Sequence, residues 1–500
     1  MIFEKMKSGI LAILFASCIL LAGQLLLDFK GSSSETIATQ TASLKPINYE
    51  NILYPQSCSI SFGGGLYKGV FSTEVKQNLW QESRKYIKNY VDYLEISKIS
   101  QEEWDTAVKF KAVRFVMPFS MSVAQLQSLL SDQSLKSEAE NMNFDTIIMP
   151  INEDDSIYLG KRTGGEYYLL TGVKRDVYLN SLLMQYEKNA NTYEAKTIEE
   201  LYGPSKVLSQ VNEPFLYNQV LFPISKIANI PFIKVENELN ISNLSQQDLK
   251  QYVGKAFGYR NDFLKKIEDI DSSLVYLYGY GDRALKIGAD GIITYKKRYE
   301  KQTGNENYTF NEAIAIAINE LQIYGSLPNG YYLSGYKESK DKDNNVVKQL
   351  TFNYELENLP IYREEDLTGQ PMVVEITQSQ VTSVKRKLSN YLRTFSVDEI
   401  WDEPMAILDI LEFNYDVISK NFEKNDYKVK PNTPTDPSKN PNFASEMLQS
   451  IQSVNLVYYG NSDKSGSLVP AWQIKVGSNE YIINIYSGEI LKWIPPEGVK

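Results

Sequence analysis

A stretch of 20 uncharged residues near the start of the chain, from Ser8 to Leu27, limits most strongly what this sequence can fold into. As a helix, a stretch of this length extends about 30 Å, which matches the hydrocarbon thickness of a bilayer. Lys5 and Lys7 precede it, and basic residues at one end favour the cytoplasmic side for that end. The pattern therefore predicts a single transmembrane helix over residues 8–27, with a stub of residues 1–7 in the cytoplasm and a large extracellular part.

A cleaved signal peptide is the competing interpretation of this stretch. Cleavage near Gly23 would require a small residue at the −3 position, which Leu21 occupies. A lipoprotein site at Cys18 would require an aliphatic residue three positions earlier, where Phe15 stands. An uncleaved signal-anchor is therefore favoured, and it is followed by a flexible tether over residues 28–47 that is rich in Ser, Thr, Ala and Gln.

Three small residues, Ser8, Ala12 and Ala16, recur every four positions in the predicted membrane helix. Such a stripe lets two membrane helices approach closely, so it is a candidate face for a partner helix. Small residues are also common in membrane helices without any such role, and this second interpretation is favoured.

The residue composition excludes several kinds of catalytic site. Histidine is absent from all 500 residues, which excludes the Ser-His-Asp triad, the Cys-His pair, histidine-containing zinc sites and an imidazole pH switch in this chain. Of the two cysteines, Cys18 lies in the predicted anchor, so no intramolecular disulfide is expected in the extracellular part. Cys58 lies in the apolar alternation of a predicted strand, so it is predicted to be a buried, unreactive thiol. The net charge of −10 argues against a nucleic-acid partner.

The extracellular part alternates between helical and strand patterns, which predicts an α+β fold of antiparallel sheets with packed helices. We divide it into an N-terminal ectodomain over 48–215, a middle α+β domain over 216–395 and a C-terminal α+β domain over 396–500. The last two share one plan, a helix followed by three or four antiparallel strands. The two helices are predicted over 310–324 and 443–454, and the shared plan makes structural repeats a possibility that stays open.

One motif resembles a dinucleotide-binding fingerprint. Gly279, Gly281 and Ala284 form G-x-G-x-x-A directly after a predicted strand. The fingerprint requires a helix next, whereas Asp290-Gly291 predicts a hairpin with a type I′ turn. A nucleotide site is therefore rejected.

Two further motifs lie in one charged loop. The segment 341–352 imitates a calcium loop, but Val346 and Phe352 occupy the positions of its required Gly and Glu. Ser339 and Lys342 form S-x-x-K, and no K-T-G follows. A solvated hairpin loop explains both motifs, so we predict no catalytic, cofactor-binding or metal-binding residues and no enzyme. An extracellular, membrane-anchored cell-wall glycan hydrolase with paired carboxylates is the alternative, because 62 acidic residues could place two close together.

Three short segments resemble the YycH family. They are Tyr54-Pro55 through Gly63-Gly64-Gly65 with Trp80, the strand and turn over 275–295, and Val469-Pro470-Ala471-Trp472 with the closing hairpin over 481–490. The ending is also similar to the sister family YycI and to small PepSY-type modules. The match is one of order and architecture along nearly the whole chain.

This resemblance implies a regulator and not an enzyme. Proteins of the YycH family are regulatory proteins of the YycFG two-component system, which controls cell-wall metabolism in Gram-positive bacteria. It implies two partners, a sensor histidine kinase and a YycI-like membrane protein, and it carries no catalytic residues over to this chain. It also implies location in the cell membrane with the large domain outside.

Overall fold

The computed structural model describes residues 47, 49–70, 72–90, 95–130, 142–151, 156–161, 165–172, 177–187, 192–202, 220–224, 227–239, 241, 244–258, 264–300, 308–363, 369–395, 403–427, 443–460 and 466–496. Residues 48–500 form one compact unit. The predicted stub and transmembrane helix, with Ser8, Ala12 and Ala16, lie outside the described residues. Within the described ranges, no helix has both the length and the apolar character needed to span a membrane.

The strands, numbered in chain order over the described residues, are β1 (Ser57–Phe62), β2 (Tyr67–Val70), β3 (Glu95–Lys98), β4 (Lys111–Ser122), β5 (Asn143–Pro150), β6 (Ser156–Lys161), β7 (Glu166–Thr171), β8 (Thr192–Lys196), β9 (Phe222–Pro223), β10 (Phe232–Asn237), β11 (Leu264–Glu268), β12 (Leu274–Tyr278), β13 (Arg283–Ile287), β14 (Ile293–Lys297), β15 (Tyr332–Lys340), β16 (Val346–Asn353), β17 (Glu355–Leu356), β18 (Leu359–Arg363), β19 (Met372–Thr377), β20 (Gln380–Arg386), β21 (Ser389–Phe395), β22 (Ile451–Gly460), β23 (Ser467–Val476), β24 (Asn479–Asn484) and β25 (Ile490–Ile494). The helices are α1 (Tyr49–Ile52), α2 (Thr73–Tyr90), α3 (Gln101–Ala107), α4 (Val123–Leu130), α5 (Val177–Glu187), α6 (Ile198–Tyr202), α7 (Gln246–Phe257), α8 (Phe310–Ile323), α9 (Ile407–Phe413), α10 (Tyr415–Asn425) and α11 (Phe443–Gln449).

The first sheet, which we call the N-terminal sheet, has the antiparallel order β3-β7-β6-β5-β4-β1-β2-β8-β9. Its strands form because apolar residues alternate along them, as Cys58 and Ile60 do on the buried face of β1. Helix α2 covers part of the sheet, where Trp80 packs edge-on against Phe115 of β4 with ring centroids 5.2 Å apart. This contact fixes α2 over the centre of the sheet.

The middle sheet has the antiparallel order β11-β12-β13-β14-β20-β19-β16-β15. Helix α8 packs on β19 and β20. The helix begins with a capping box, in which the Thr309 hydroxyl accepts from the Glu312 amide at 3.2 Å and the Thr309 amide donates to Glu312 Oε2 at 2.7 Å. The predicted apolar face of this helix is confirmed, since Ala313, Ile314, Ala317, Ile318 and Leu321 are fully buried.

The C-terminal sheet contains β17, β18, β22, β23, β24 and β25 as well as β10 and β21. Strand β22 pairs in parallel with β18 through Ile361 and Tyr458, while β23 pairs with β10 through Leu468 and Ile233. The sheet thus takes strands from both sides of residue 395, and the division into three domains stays a prediction. The mixed α+β class with antiparallel sheets is confirmed, whereas the likeness to PepSY modules stays a prediction.

Helix α8 and helix α11 each precede four antiparallel strands of one sheet. These strands are β15, β16, β19 and β20 in one case, with β17 and β18 leaving for the C-terminal sheet between them, and β22 to β25 in the other. Two local predictions are wrong. Helix α11 ends at Gln449 and does not reach Val454, because β22 begins at Ile451 and pairs with β23. The turn at Asp290-Gly291 is not type I′, because Gly291 has a positive φ of 82° and Asp290 does not.

Candidate functional site

The three sheets meet at a cleft of about 350 Å³, which we call the central cleft. Strand β4 of the N-terminal sheet supplies Pro118 and Phe119. The middle sheet supplies residues of β15 and β16, and the C-terminal sheet supplies residues of β18, β22 and β23. Because every sheet contributes to the lining, the cleft depends on how the sheets are assembled.

Bulges in two strands shape the central cleft. The register of β4 against β5 passes from Val116 to Met121 while the partner strand advances by only two residues. Strand β15 carries a smaller irregularity, between Leu333 and Gly335. Bulges bend a strand and redirect its side chains, and they are frequent beside binding sites. Here they bring Phe119 and Tyr336 together, with ring centroids 6.5 Å apart.

Carboxylates outside the lining hold several of its polar side chains. The bonds run from Tyr336 Oη to Glu338 Oε2 at 2.9 Å, from Gln349 Nε2 to Glu375 Oε1 at 3.1 Å, and from Gln473 Nε2 to Glu480 Oε1 at 2.6 Å. In the two glutamines the amide nitrogen therefore faces a carboxylate, and the amide oxygen is left as an acceptor. Burial, followed by the bond to Glu338, raises the pKa of Tyr336 well above its usual value, so this phenol stays protonated.

A buried amide forms the floor of the central cleft. Asn353 Nδ2 donates to the carbonyl of Ile361 at 2.9 Å and to Gln370 Oε1 at 3.0 Å. Asn353 Oδ1 accepts from the backbone amide of Tyr354 at 2.7 Å. These bonds connect β16 to β18, so they link the middle sheet to the C-terminal sheet. A buried polar network in which the hydrogen bonds are satisfied keeps its surroundings rigid, so these bonds fix β16 relative to β18.

A second cleft, of about 610 Å³, lies beside α1 and α2, and Tyr332 lines both clefts. Glu355 of its wall forms a buried ion pair with Lys76, in which Lys76 Nζ lies 2.7 Å from Glu355 Oε1 and the two side chains are 6% and 9% exposed. The Thr73 hydroxyl also donates to Glu355, and Lys76 Nζ lies 4.5 Å from the ring centroid of Tyr54. The ion pair joins the N-terminal sheet's helix to the start of the C-terminal sheet.

The nucleotide-like motif and the calcium-like motif both begin in turns between strands. Residues 279–281 form a short 3-10 turn and β13 follows, so no helix faces a nucleotide at Gly279. Asp341 Oδ1 accepts from the backbone amides of Asp343 and Asn345 at 2.9 and 2.8 Å, which closes the β15–β16 hairpin loop. Within the described part of the chain, no group of three or more acidic or cysteine side chains could hold a metal ion.

Cys58 is confirmed as a buried thiol. It lies on β1 with 3% exposure, and burial raises its pKa strongly. A thiol that is kept protonated in this way is a poor nucleophile.

A glycoside hydrolase requires a protonated carboxyl group opposite a second carboxylate. Burial raises the pKa of the Glu320 carboxyl group. Tyr324 donates to it at 3.1 Å, and the charge that acts on it is the Lys297 ammonium. Glu320 lines neither the central cleft nor the second cleft. The hydrolase alternative thus gains no support from the described residues.

Sequence reasoning did not identify any residue of the central cleft. Pro118 was the available signal, because a proline inside a strand pattern marks a bulge or a sheet edge. The glutamines of the lining gave no signal, since polar residues at strand positions are ordinary.

Comparison with known proteins places the fold. No protein-family model and no curated protein matches the chain. Among solved structures, YycH from Bacillus subtilis matches with a TM-score of 0.52 at 14% identity, covering 88% of this chain and 98% of that chain. An uncharacterized protein from Eubacterium rectale matches 53% of this chain and 86% of its own, with a TM-score of 0.33 at 14% identity. At these identities similarity establishes the fold alone, and at that level it confirms the resemblance inferred from the sequence: this chain has the fold of YycH.

Proposed function

We propose that this chain is a regulatory protein of the YycFG two-component system, held in the cell membrane by one helix and acting on the sensor histidine kinase. The fold shared with YycH over 88% of the chain carries the proposal. The uncharged stretch from Ser8 to Leu27 supports a single-pass anchor with the N-terminus in the cytoplasm and residues 48–500 outside. A YycI-like membrane protein is the second proposed partner.

A regulator of this kind changes kinase output only if it binds the signalling states of the kinase unequally. A tenfold shift in that equilibrium requires a difference in binding free energy of about 1.4 kcal/mol. Contacts of the anchor helix and of the extracellular part could each contribute this amount. If the anchor helix contributes a contact, the stripe of Ser8, Ala12 and Ala16 is the face that would permit close approach within the membrane.

Co-purification from membranes tests the association. We expect the kinase to be recovered with the full-length chain after mild solubilisation. Recovery without the kinase, under conditions that retain other membrane complexes, would contradict the proposed association. Cleavage of a glycan by the purified chain, abolished by substitution of one carboxylate, would instead support the hydrolase.

Kinase output tests the anchor separately. Ala12→Leu and Ala16→Leu should change the output if the stripe contacts the kinase, because larger side chains prevent close approach. Ser17→Leu is the matched control, since on an ideal helix this small residue projects away from the stripe. Equal effects of the three substitutions would remove the stripe from the mechanism and would leave the extracellular contact to be tested.

A further inference from the structure

We propose that the central cleft binds an uncharged, polyhydroxylated ligand, a neutral saccharide of about one or two rings. This proposal goes beyond the regulatory function and does not depend on it, because the cleft belongs to this chain alone. Its volume of about 350 Å³ falls at the lower end of the range found for small-molecule sites.

The charge of the lining excludes most ionic ligands. Of the 17 described residues that line the cleft, Lys337 is the one with an ionisable charge, and it already takes part in another interaction. Phosphate and carboxylate ligands are normally bound by clusters of cations or by arginine pairs. A cleft with this lining therefore selects an uncharged ligand.

The hydrogen-bonding pattern calls for a ligand rich in donors. Gln349 and Gln473 turn their amide nitrogens to Glu375 and Glu480, and their amide oxygens accept no bond from the described part of the chain. Hydroxyl groups of a ligand can donate to these two oxygens. A sugar ring presents several hydroxyl groups at once, which suits acceptors that lie on different sheets.

An aromatic surface completes the site. Phe119 is half-buried at the β4 bulge and lies beside Tyr336. The apolar C–H groups on one face of a sugar ring can pack on such rings while its hydroxyl groups reach the glutamine oxygens. Residues from three sheets would then contact one ligand, so binding would stabilise their assembled arrangement.

Ligand titration by saturation-transfer NMR tests the proposal on the full-length chain, purified in a detergent without a sugar headgroup. The probes are the neutral disaccharides cellobiose, maltose and diacetylchitobiose, with glucose 6-phosphate as the anionic probe and a capped alanine dipeptide as the neutral peptide. We expect saturable binding of at least one disaccharide and none of the other two probes. No disaccharide binding up to millimolar concentrations, or binding of the dipeptide or the phosphate in its place, would overturn the proposal.

Substitutions locate the binding. Gln473→Ala and Phe119→Ala should each weaken it by about tenfold or more, since each removes one of the proposed contacts. Gln452→Ala and Phe413→Ala are the matched controls, because these residues lie outside the cleft. Thermal unfolding checks that each variant folds, and Gln349→Ala replaces Gln473→Ala if the latter does not. Equal affinities of the folded cleft variants and the controls would place the binding elsewhere and refute the assignment.

Discussion

Replacement of Lys76 by methionine should destabilise the protein far more than the loss of an ordinary surface charge. Lys76 and Glu355 form a buried ion pair at 2.7 Å, and the two residues are 279 positions apart in the chain. The substitution keeps most of the apolar stem and removes the ammonium, which lies 4.5 Å from the ring centroid of Tyr54. It leaves the Glu355 carboxylate buried without its counter-charge.

The expected cost follows from this burial. Breaking a buried pair by removing one partner typically costs about 3–5 kcal/mol of unfolding free energy. The Thr73 hydroxyl still donates to Glu355 after the change, so we expect a value near the lower end, about 3 kcal/mol. The double variant Lys76→Met with Glu355→Leu should be less destabilised than Lys76→Met alone, because no charge then remains buried.

Urea unfolding followed by tryptophan fluorescence measures the change, since Trp80 is buried on the same helix. Hydrogen exchange of the α2 amides adds a local reading that does not require two-state unfolding. Lys85→Met is the matched control, because Lys85 pairs with Glu82 at 2.6 Å but is 65% exposed, and such pairs contribute about 1 kcal/mol or less. If Lys76→Met costs no more than Lys85→Met, the ion pair is not a structural link between these regions.

Two further predictions concern packing and pH. Gly160→Ala should destabilise the protein by about 1–3 kcal/mol in urea unfolding, because the added Cβ would lie 2.4 Å from the ring of Trp104, which is fully buried and cannot move away. An unchanged midpoint of the urea transition would contradict this prediction. Glu320→Gln should raise the melting temperature near neutral pH but not below about pH 3, where the carboxyl group is protonated in both states. Burial raises the pKa of Glu320, so the stability that its carboxyl group contributes is lost as the pH rises through that pKa, while a glutamine stays neutral and still accepts from Tyr324. An equal gain in melting temperature at both pH values would show that ionisation of Glu320 is not the cause.

Features set by neighbouring residues could be predicted from the sequence. The start of α8 depends on Thr309 and Glu312, which lie three positions apart, and its buried face follows from its own periodicity. The hairpin of β15 and β16 likewise depends on a loop that Asp341 closes with its own neighbours. In such places local preference and final structure agree.

The boundary between α11 and β22 could not be predicted, because distant pairing decides it. Residues 450–454 continue the apolar pattern of the helix, yet Ile451 and Val454 pair with Val476 and Ile474 of β23. A short apolar run is compatible with either structure until its partner is known. The ion pair between Lys76 and Glu355 could not be predicted either, because nothing in the local sequence around one residue indicates the other.

The central cleft was the least predictable feature, because its residues extend along the chain from Gln56 to Gln473 and converge only when three sheets are assembled. The fold is shared between this chain and YycH at 14% identity, because many different apolar residues can fill the same core. A ligand site is less tolerant, as it requires particular donors and acceptors at particular positions. Similarity of fold therefore gives no information on whether Gln349 and Gln473 act as acceptors for a ligand. The ligand specificity of the cleft therefore follows from this sequence and not from the shared fold.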